Sequence, residues 1–465
     1  MSDAPGKAER KYLAAHAEPE ARLSEAFDAA PRHYGHVLVI PASGEGLELA
    51  QALSSVPEGP LGPVLTILVI NATPDAPASV HETNARTLEG FARERETLRV
   101  LAPNARLHAH ARGGLLVLDR ATHEHRLPGG QGVGLARKIG TDLALALVLS
   151  GRVASSWIHV SDADVVFPGD YFHQVLEGED ARPSARLYRF RHLPGSDPRS
   201  YDAALQYEAT LRYYVLGLRF AGSPYAFHSI GSTLALDAGA YARVRGFPRR
   251  TAAEDFYLLN KLAKVGRIEP LSGAPLGLSS RVSGRVPFGT GAAIARMLED
   301  GDPEPTTYHP ALFHQLRAWL GALEGEVAQR AANRKSARTL ADSVREHSEP
   351  DSAVDPETLL AALERTGALA AANDALAAPA RAIRGRVHDV FDGFRTLKLL
   401  HALRDSGLPD LPLREALGRA AFLALPQDMA RISTGELASR MEGLDYASPE
   451  PTSGKPNSSR CSRCG

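Results

Sequence analysis

The sequence predicts an α/β fold with a mostly parallel sheet, followed by a C-terminal helical domain or extension. Three observations carry that expectation. The apolar, β-branched runs HVLVIPA (residues 36–42) and VLTILVINAT (64–73) are continuous enough to be buried on both faces. Helical stretches separate such runs, with Pro and Gly at the joins, as in parallel strands linked by crossovers. Beyond about residue 303 the strand-like runs stop and alanine- and leucine-rich helical periodicity takes over.

Taken in order, residues 1–34 form a polar, helical N-terminal arm. HVLVIPA is stopped by Pro41, and GLELAQALSSV then has helical spacing. After the second strand, VHETNARTLEGFARER (80–95) is helical, and ARLHAHARGGLLVLDR holds one or two short strands around Gly113 and Gly114. In GVGLARKIGTDLALALVLSGRVA, residues Leu135, Ile139, Leu143, Leu147 and Val148 recur at helical spacing. That helix feeds into SSWIHVSDAD, a strand that stops at Asp162 and Asp164. Pro168 suits the first turn of a helix over PGDYFHQVLEG, where its missing N–H costs nothing. ARLYRFRHL (185–193) alternates as one strand, and an aromatic-rich helix runs from Tyr201 to Phe220. STLALDAGAYARVRGF reads as strand, turn and short helix. Another helix begins near AAEDFYLLNKLAKVG, and SSRVSGRVPFGTG is a polar loop whose glycines at 284, 289 and 291 permit sharp turns. The division expected is an arm over 1–34, an α/β domain over 35–302, a helical domain over 303–440 and a disordered tail over 441–465.

A length of 465 residues leaves room for two or three domains. With 53 Lys plus Arg against 54 Asp plus Glu, no overall field draws the chain to nucleic acid or to an anionic membrane. Neither a secretory signal nor a mitochondrial presequence shows in the first thirty residues, and no window has the roughly 18 consecutive apolar residues of a membrane span. A cytoplasmic protein with no integral membrane segment is therefore expected, and a homo-oligomer is left open. Cys461 and Cys464 form a single CxxC in the tail, which supplies half a zinc site at most.

The acidic pair Asp162 and Asp164 stands where open α/β sheets bind their ligands, at the carboxyl end of a strand. Two carboxylates so close oppose one another unless a cation or buried donors join them. Mg²⁺ or Mn²⁺ would meet that need, since both take hard oxygen ligands and share them with a diphosphate. The competing reading is that one Asp caps the next helix and the other faces water. Glu254 and Asp255 open a helix after a flexible segment, and Thr251 with Glu254 also spells a capping box.

The order of these strings resembles the nucleotide-sugar glycosyltransferases of the A-type fold, particularly the family-two-like group, over roughly residues 35 to 290. VIPASGE (39–45) is similar to the first strand and acidic turn, GLARKIGTDLAL (134–145) to the helix before the metal-binding strand, and HVSDADVVFPGDYF to that strand with its Asp-x-Asp element. HSIGSTLALDAGAYARVRGFP resembles the acceptor-side segment with its Gly-Gly-Phe-like corner, Arg245 standing in one glycine position. AAEDFYLLNKLAKVG resembles the helix that carries the acceptor-site base. The resemblance implies a Rossmann-like sheet and transfer of a sugar from a nucleoside-diphosphate donor to a hydroxyl acceptor. It implies metal contacts from Asp162, Asp164 and a later histidine, His228. It also implies Asp255 as catalytic base beside Glu254, and donor contacts from Pro41, Ser43, Glu45, Asn71, Arg137, Lys138 and Asp162. Arg281 and Arg285 are expected to reach the diphosphate or an anionic acceptor, for which the planar guanidinium is suited. Lys138 stands where the family has Asn, and NATPDA (71–76) replaces an Asp-rich turn, so the donor base is not read. Two alternatives fit part of the pattern: a sugar-phosphate nucleotidyltransferase, which lacks its glycine-rich phosphate loop here, and a non-catalytic sugar-nucleotide-binding module.

Overall fold

His36–Ala42 (β1) is buried along its whole length because strands flank it on both edges and helices cover its faces. In the computed structural model, residues 6–29, 33–176, 183–282, 289–299, 304–332, 338–349, 351, 353–423, 425 and 432–447 are described. Val64–Asn71 (β2) runs parallel to β1, with Val39 opposite Ile67. Thr97–Ala102 (β3), Ala105–His110 (β4) and Gly113–Arg120 (β5) extend the sheet beyond β2, and β5 is parallel to β2. Trp157–Val160 (β6) lies on the other edge of β1, again parallel.

Val165–Val166 (β7), Ala185–Leu187 (β8), Phe190–His192 (β9), Leu234–Asp237 (β10), Ile268–Pro270 (β11) and Leu276–Leu278 (β12) complete the α/β part. The nine-stranded order is β11-β8-β10-β6-β1-β2-β5-β4-β3, and only β4 and β10 run against the rest. From β1 the chain moves outward to β2 and returns on the opposite side as β6. The strand order therefore reverses between β1 and β6, and a crevice opens beyond their carboxyl ends. Ser161 donates its N–H to the Val39 carbonyl at 3.0 Å, so in the alternation of a parallel strand Pro41 faces the same way as Val39. Its missing N–H thus falls where β6 has ended, and no ladder bond is lost.

The helix Gly132–Leu149 lies against β1 and β2, and residues 134–147 are all buried. Its approach is set by Gly140, where a Cβ would come within 2.4 Å of the Val39 side chain. The expected N-terminal arm is part of this core: Tyr12 and Phe27 are buried in the same cluster as Val39 and Leu143.

Three expectations need correction. The single strand over 185–193 is two, because the chain leaves the main sheet at Tyr188 and re-pairs as β9 with β12 in a small sheet β7-β12-β9. Tyr188 anchors that crossing, its N–H on the Thr233 carbonyl at 2.9 Å and its hydroxyl donating to the Tyr171 carbonyl at 3.0 Å. The helix near Pro168 is only Tyr171–Gln174, so Pro168 precedes it. Residues 441–446 end the helix Thr434–Tyr446, which packs on the helix Pro198–Phe220 with Asp445 buried. That long helix also contributes Tyr213 and Leu216 to the core of the C-terminal helices, alongside Phe313 and Trp319. Cys461 and Cys464 lie outside the described residues.

Replacing Gly140 by alanine forces one methyl into the Val39 contact. The expected cost is about 1–3 kcal/mol, seen as a lower urea midpoint with an unchanged slope. An unchanged midpoint would refute the tight helix-on-strand contact.

Candidate active site

The carboxyl ends of β1 and β6 bring acids to one crevice, and two arginines hold them there. Arg137, buried on the helix Gly132–Leu149, donates from one terminal nitrogen to Asp162 and from the other to Glu254. Arg281 donates to Asp164 at 3.1 Å through Nε and to Glu45 at 2.5 Å through a terminal nitrogen. Residues separated by up to 236 positions thus meet within two guanidinium spans. The guanidinium of Arg137 packs against Gly231, where a Cβ would come within 2.4 Å of it. Ser161 fixes that wall by donating its hydroxyl to the Ser232 carbonyl at 2.9 Å.

Exposure separates the roles of the acids. The Glu254 side chain is 2% exposed and spent on Arg137, whereas Asp162 and Asp164 are 35% and 26% exposed and open to the crevice. Asp255 is part-buried one residue beyond Glu254. Burial pushes its carboxyl above the ordinary aspartate range; the Arg137 guanidinium and the Phe256 N–H, 2.7 Å from Oδ1, pull it down, while the charge of Asp162 adds to the rise. The expected capping box is absent. The N-cap is Ala253, with no side-chain cap, in the left-handed region at φ 58°. A non-glycine residue there carries backbone strain, stored directly before the two acids. The glycine-like corner is also left-handed, Arg245 at φ 65° and Gly246 at φ 66°.

The turn after β1 is held by a relay of amides. Asn71 donates to the Ala42 carbonyl at 3.0 Å, Asn84 donates to the Asn71 carbonyl at 3.0 Å, and the Gly44 N–H donates to Asn84 at 2.9 Å. Asn71 is therefore a buried strut of the turn bearing part-exposed Ser43 and buried Glu45. Asn84 was not among the sequence candidates, and only its place on the helix after β2 could have pointed to it.

The structure does not bring Lys138 or His228 to the acidic pair. Lys138 lies on the other side of its helix, with Nζ 2.7 Å from Asp142 and 2.7 Å from the Tyr12 hydroxyl. Asp142 also accepts from Tyr12, Tyr241 and the Glu18 N–H at 2.6, 2.9 and 2.8 Å, so this is a sealed structural cluster. His228 Nε2 lies 2.7 Å from Asp445, and its ring stands edge-on to Phe190. Arg285 lies outside the described residues. No three His, Cys, Asp or Glu side chains gather as a metal cluster among the described residues. Asp162 and Asp164 each pair with an arginine yet stay part-exposed, so both keep carboxylate surface of the kind that Mg²⁺ takes when water and substrate phosphates complete its shell.

No protein-family model matches the chain, and no curated protein matches it in sequence. Solved structures do resemble it. Residues 1–349 of S. aureus TarS, in complex with UDP-GlcNAc, align at 11% identity over 80% of this chain and 92% of that one, with a TM-score of 0.33. The mannosyltransferase PcManGT from Pyrobaculum calidifontis, in complex with GDP-Man and Mn²⁺, aligns at 16% identity over 86% and 98%, also at 0.33. At that level the α/β assignment rests on the strand order and crevice of this chain itself. No helix among the described residues is long and apolar enough to cross a membrane.

Lys138→Met removes the cation from a buried aspartate and two phenols. A loss of about 3 kcal/mol is expected, measured by chemical denaturation. A fully stable variant with weakened nucleotide binding would instead restore Lys138 to the donor site.

Proposed function

We propose that the chain transfers a sugar from a nucleoside-diphosphate donor to a hydroxyl acceptor. The observation that carries this reading is the convergence of Glu45, Asp162, Asp164, Glu254 and Asp255 on the β1–β6 switch point, held by Arg137 and Arg281. A donor laid across that crevice would have its diphosphate near Arg281, whose part-exposed guanidinium, already joining Glu45 to Asp164, would offset phosphate charge there. Asp162 and Asp164 would hold Mg²⁺ or Mn²⁺. Such an ion, when bound, offsets charge growing on the leaving diphosphate.

Asp255 is the base. In its ionised form it takes the proton of the acceptor hydroxyl while that oxygen bonds to the anomeric carbon. The bond from that carbon to the diphosphate oxygen breaks, and its electron pair leaves with the nucleoside diphosphate. Arg137 and Glu254 are positioning residues: the guanidinium keeps the carboxylates of two elements at fixed separation and restrains the rise in the Asp255 pKa. A base with a raised pKa is better matched to working near neutral pH than an ordinary aspartate.

Screening UDP- and GDP-sugars for hydrolysis and transfer, with and without Mn²⁺, tests the reading. Turnover that falls on chelation is expected; failure of folded, metal-loaded protein to bind any nucleotide donor would sink it. Asp255→Asn is expected to lower kcat by about 10²–10⁴-fold. In the parent protein, kcat/KM should fall as pH drops through a value above the ordinary aspartate pKa of about 3.9. The same shift sets a stability sign. A raised pKa means that the folded state binds the Asp255 proton more tightly than the unfolded chain, so its contribution is lost as pH rises. At neutral pH, Asp255→Asn should therefore melt no lower than the parent, whereas a purely structural Asp255 would give a lower melt.

A further inference from the structure

A cavity of about 150 Å³ lies where the helices Pro198–Phe220 and Glu254–Leu262 meet the segment 225–230 and the C-terminal helix Gly393–Arg404. Its wall is largely apolar, with Leu211, Tyr214, Tyr225, Phe227, Phe256 and Leu397 facing it. Of these, all but Tyr225 are only part-buried, so apolar surface is left for a ligand to cover. Tyr225 is 5% exposed, yet its hydroxyl has no hydrogen-bond partner among the described residues. A buried polar group in that state is free to take a partner from a bound molecule. His228 lines the same space, which gives that residue a place apart from the acidic pair.

Two observations tie the cavity to the crevice. Phe256 directly follows Asp255. Tyr207 stands one helical turn before Leu211, on the same face of its helix. Burial chiefly raises the Tyr207 pKa, the charge of Arg296 lowers it and that of Asp255 adds to the rise, so Tyr207 lies within electrostatic reach of the proposed base.

We propose, on the footing of the sugar-transfer reading, that this cavity is the apolar subsite of the acceptor and takes a benzene-sized ring attached to the hydroxyl-bearing part that Asp255 deprotonates. The volume is that of cavities which accept benzene. Aromatic walls favour a flat ring through offset and edge-on contacts. The unpartnered Tyr225 hydroxyl would meet a polar substituent on it.

Calorimetric titration of the full chain with phenyl β-D-glucopyranoside and methyl β-D-glucopyranoside tests this. The phenyl probe is expected to bind at least about tenfold more tightly, the effect of roughly 1.4 kcal/mol. Leu211→Trp, which fills the cavity, should abolish that preference; Thr396→Leu fills it from the opposite wall and serves if the first variant fails to fold. Equal binding of the two probes, or a preference that survives a folded filled variant, would overturn the proposal. Binding is read without donor, so the two readings fail separately. Phenyl preference with no turnover of any nucleotide sugar overturns transfer alone, and donor turnover with no phenyl preference overturns the cavity alone.

Discussion

Everything at the crevice depends on Arg137. Five carboxylates cannot share one cleft without opposite charge: two unit charges about 4 Å apart repel by about 4 kcal/mol at the effective dielectric near a protein surface. The Arg137 guanidinium resolves this in a fixed direction, because its planar fork binds Asp162 at the end of β6 with one nitrogen and Glu254 at the start of a later helix with the other. Arg281 does the same for Glu45 and Asp164. The separation between the two halves of the cleft is thus set by two rigid side chains as well as by the sheet.

The helix that carries Arg137 explains why its charges are so fully committed. Residues 134–147 are buried on every side, which is unusual for a helix containing Arg137, Lys138 and Asp142. Each charge must then be paired, since an unpaired buried ion costs several kcal/mol. Neighbouring residues on a helix point about 100° apart, so Arg137 turns to the crevice and Lys138 turns to Asp142 and the N-terminal segment. One face holds the crevice acids, and the other fastens Tyr12 and Glu18 to the core. The N-terminal residues that read as a separate arm are the lid of that second cluster.

Much of this was legible in the sequence. β1 and β2 are uninterrupted apolar runs, and β1 is found over the same seven residues that the pattern marks. Glu45, Asp162, Asp164 and Asp255 could be picked out because each follows a strand or opens a helix. Partners were not legible, because periodicity is local and the decisive contacts are not: Arg137 reaches Glu254 across 117 positions, and His228 reaches Asp445 across 217. Lys138 read as a donor contact because it stands at the Asn position of the resembled motif, and only the packed helix reveals that it turns to Asp142 instead. Residues 441–446 read as tail because nothing local announces that Asp445 will be drawn in by the fully buried Arg212, 2.7 Å away.

That last contact bears on why a helical region accompanies the sheet. Arg212 binds Glu208 and Asp445, and Glu208 accepts from both the ring and the backbone N–H of His192, so β9, the long helix and the last helix are locked in one buried network. A second lock lies on the helix that begins with Glu254. Near its C-terminal end, Asn260 donates to Asp392 at 2.9 Å and accepts from the Gly393 N–H at 2.9 Å, and Lys264, just past that end, adds a 2.7 Å bond to Asp392. The element that presents Asp255 at its first turn is therefore fixed further along by the C-terminal helices. Arg137 fixes its start and Asp392 its C-terminal end, so neither end can shift without breaking a charge pair or its hydrogen bonds. The proposed proton transfer needs its base held in place, and the helical region fixes part of the helix that carries Asp255.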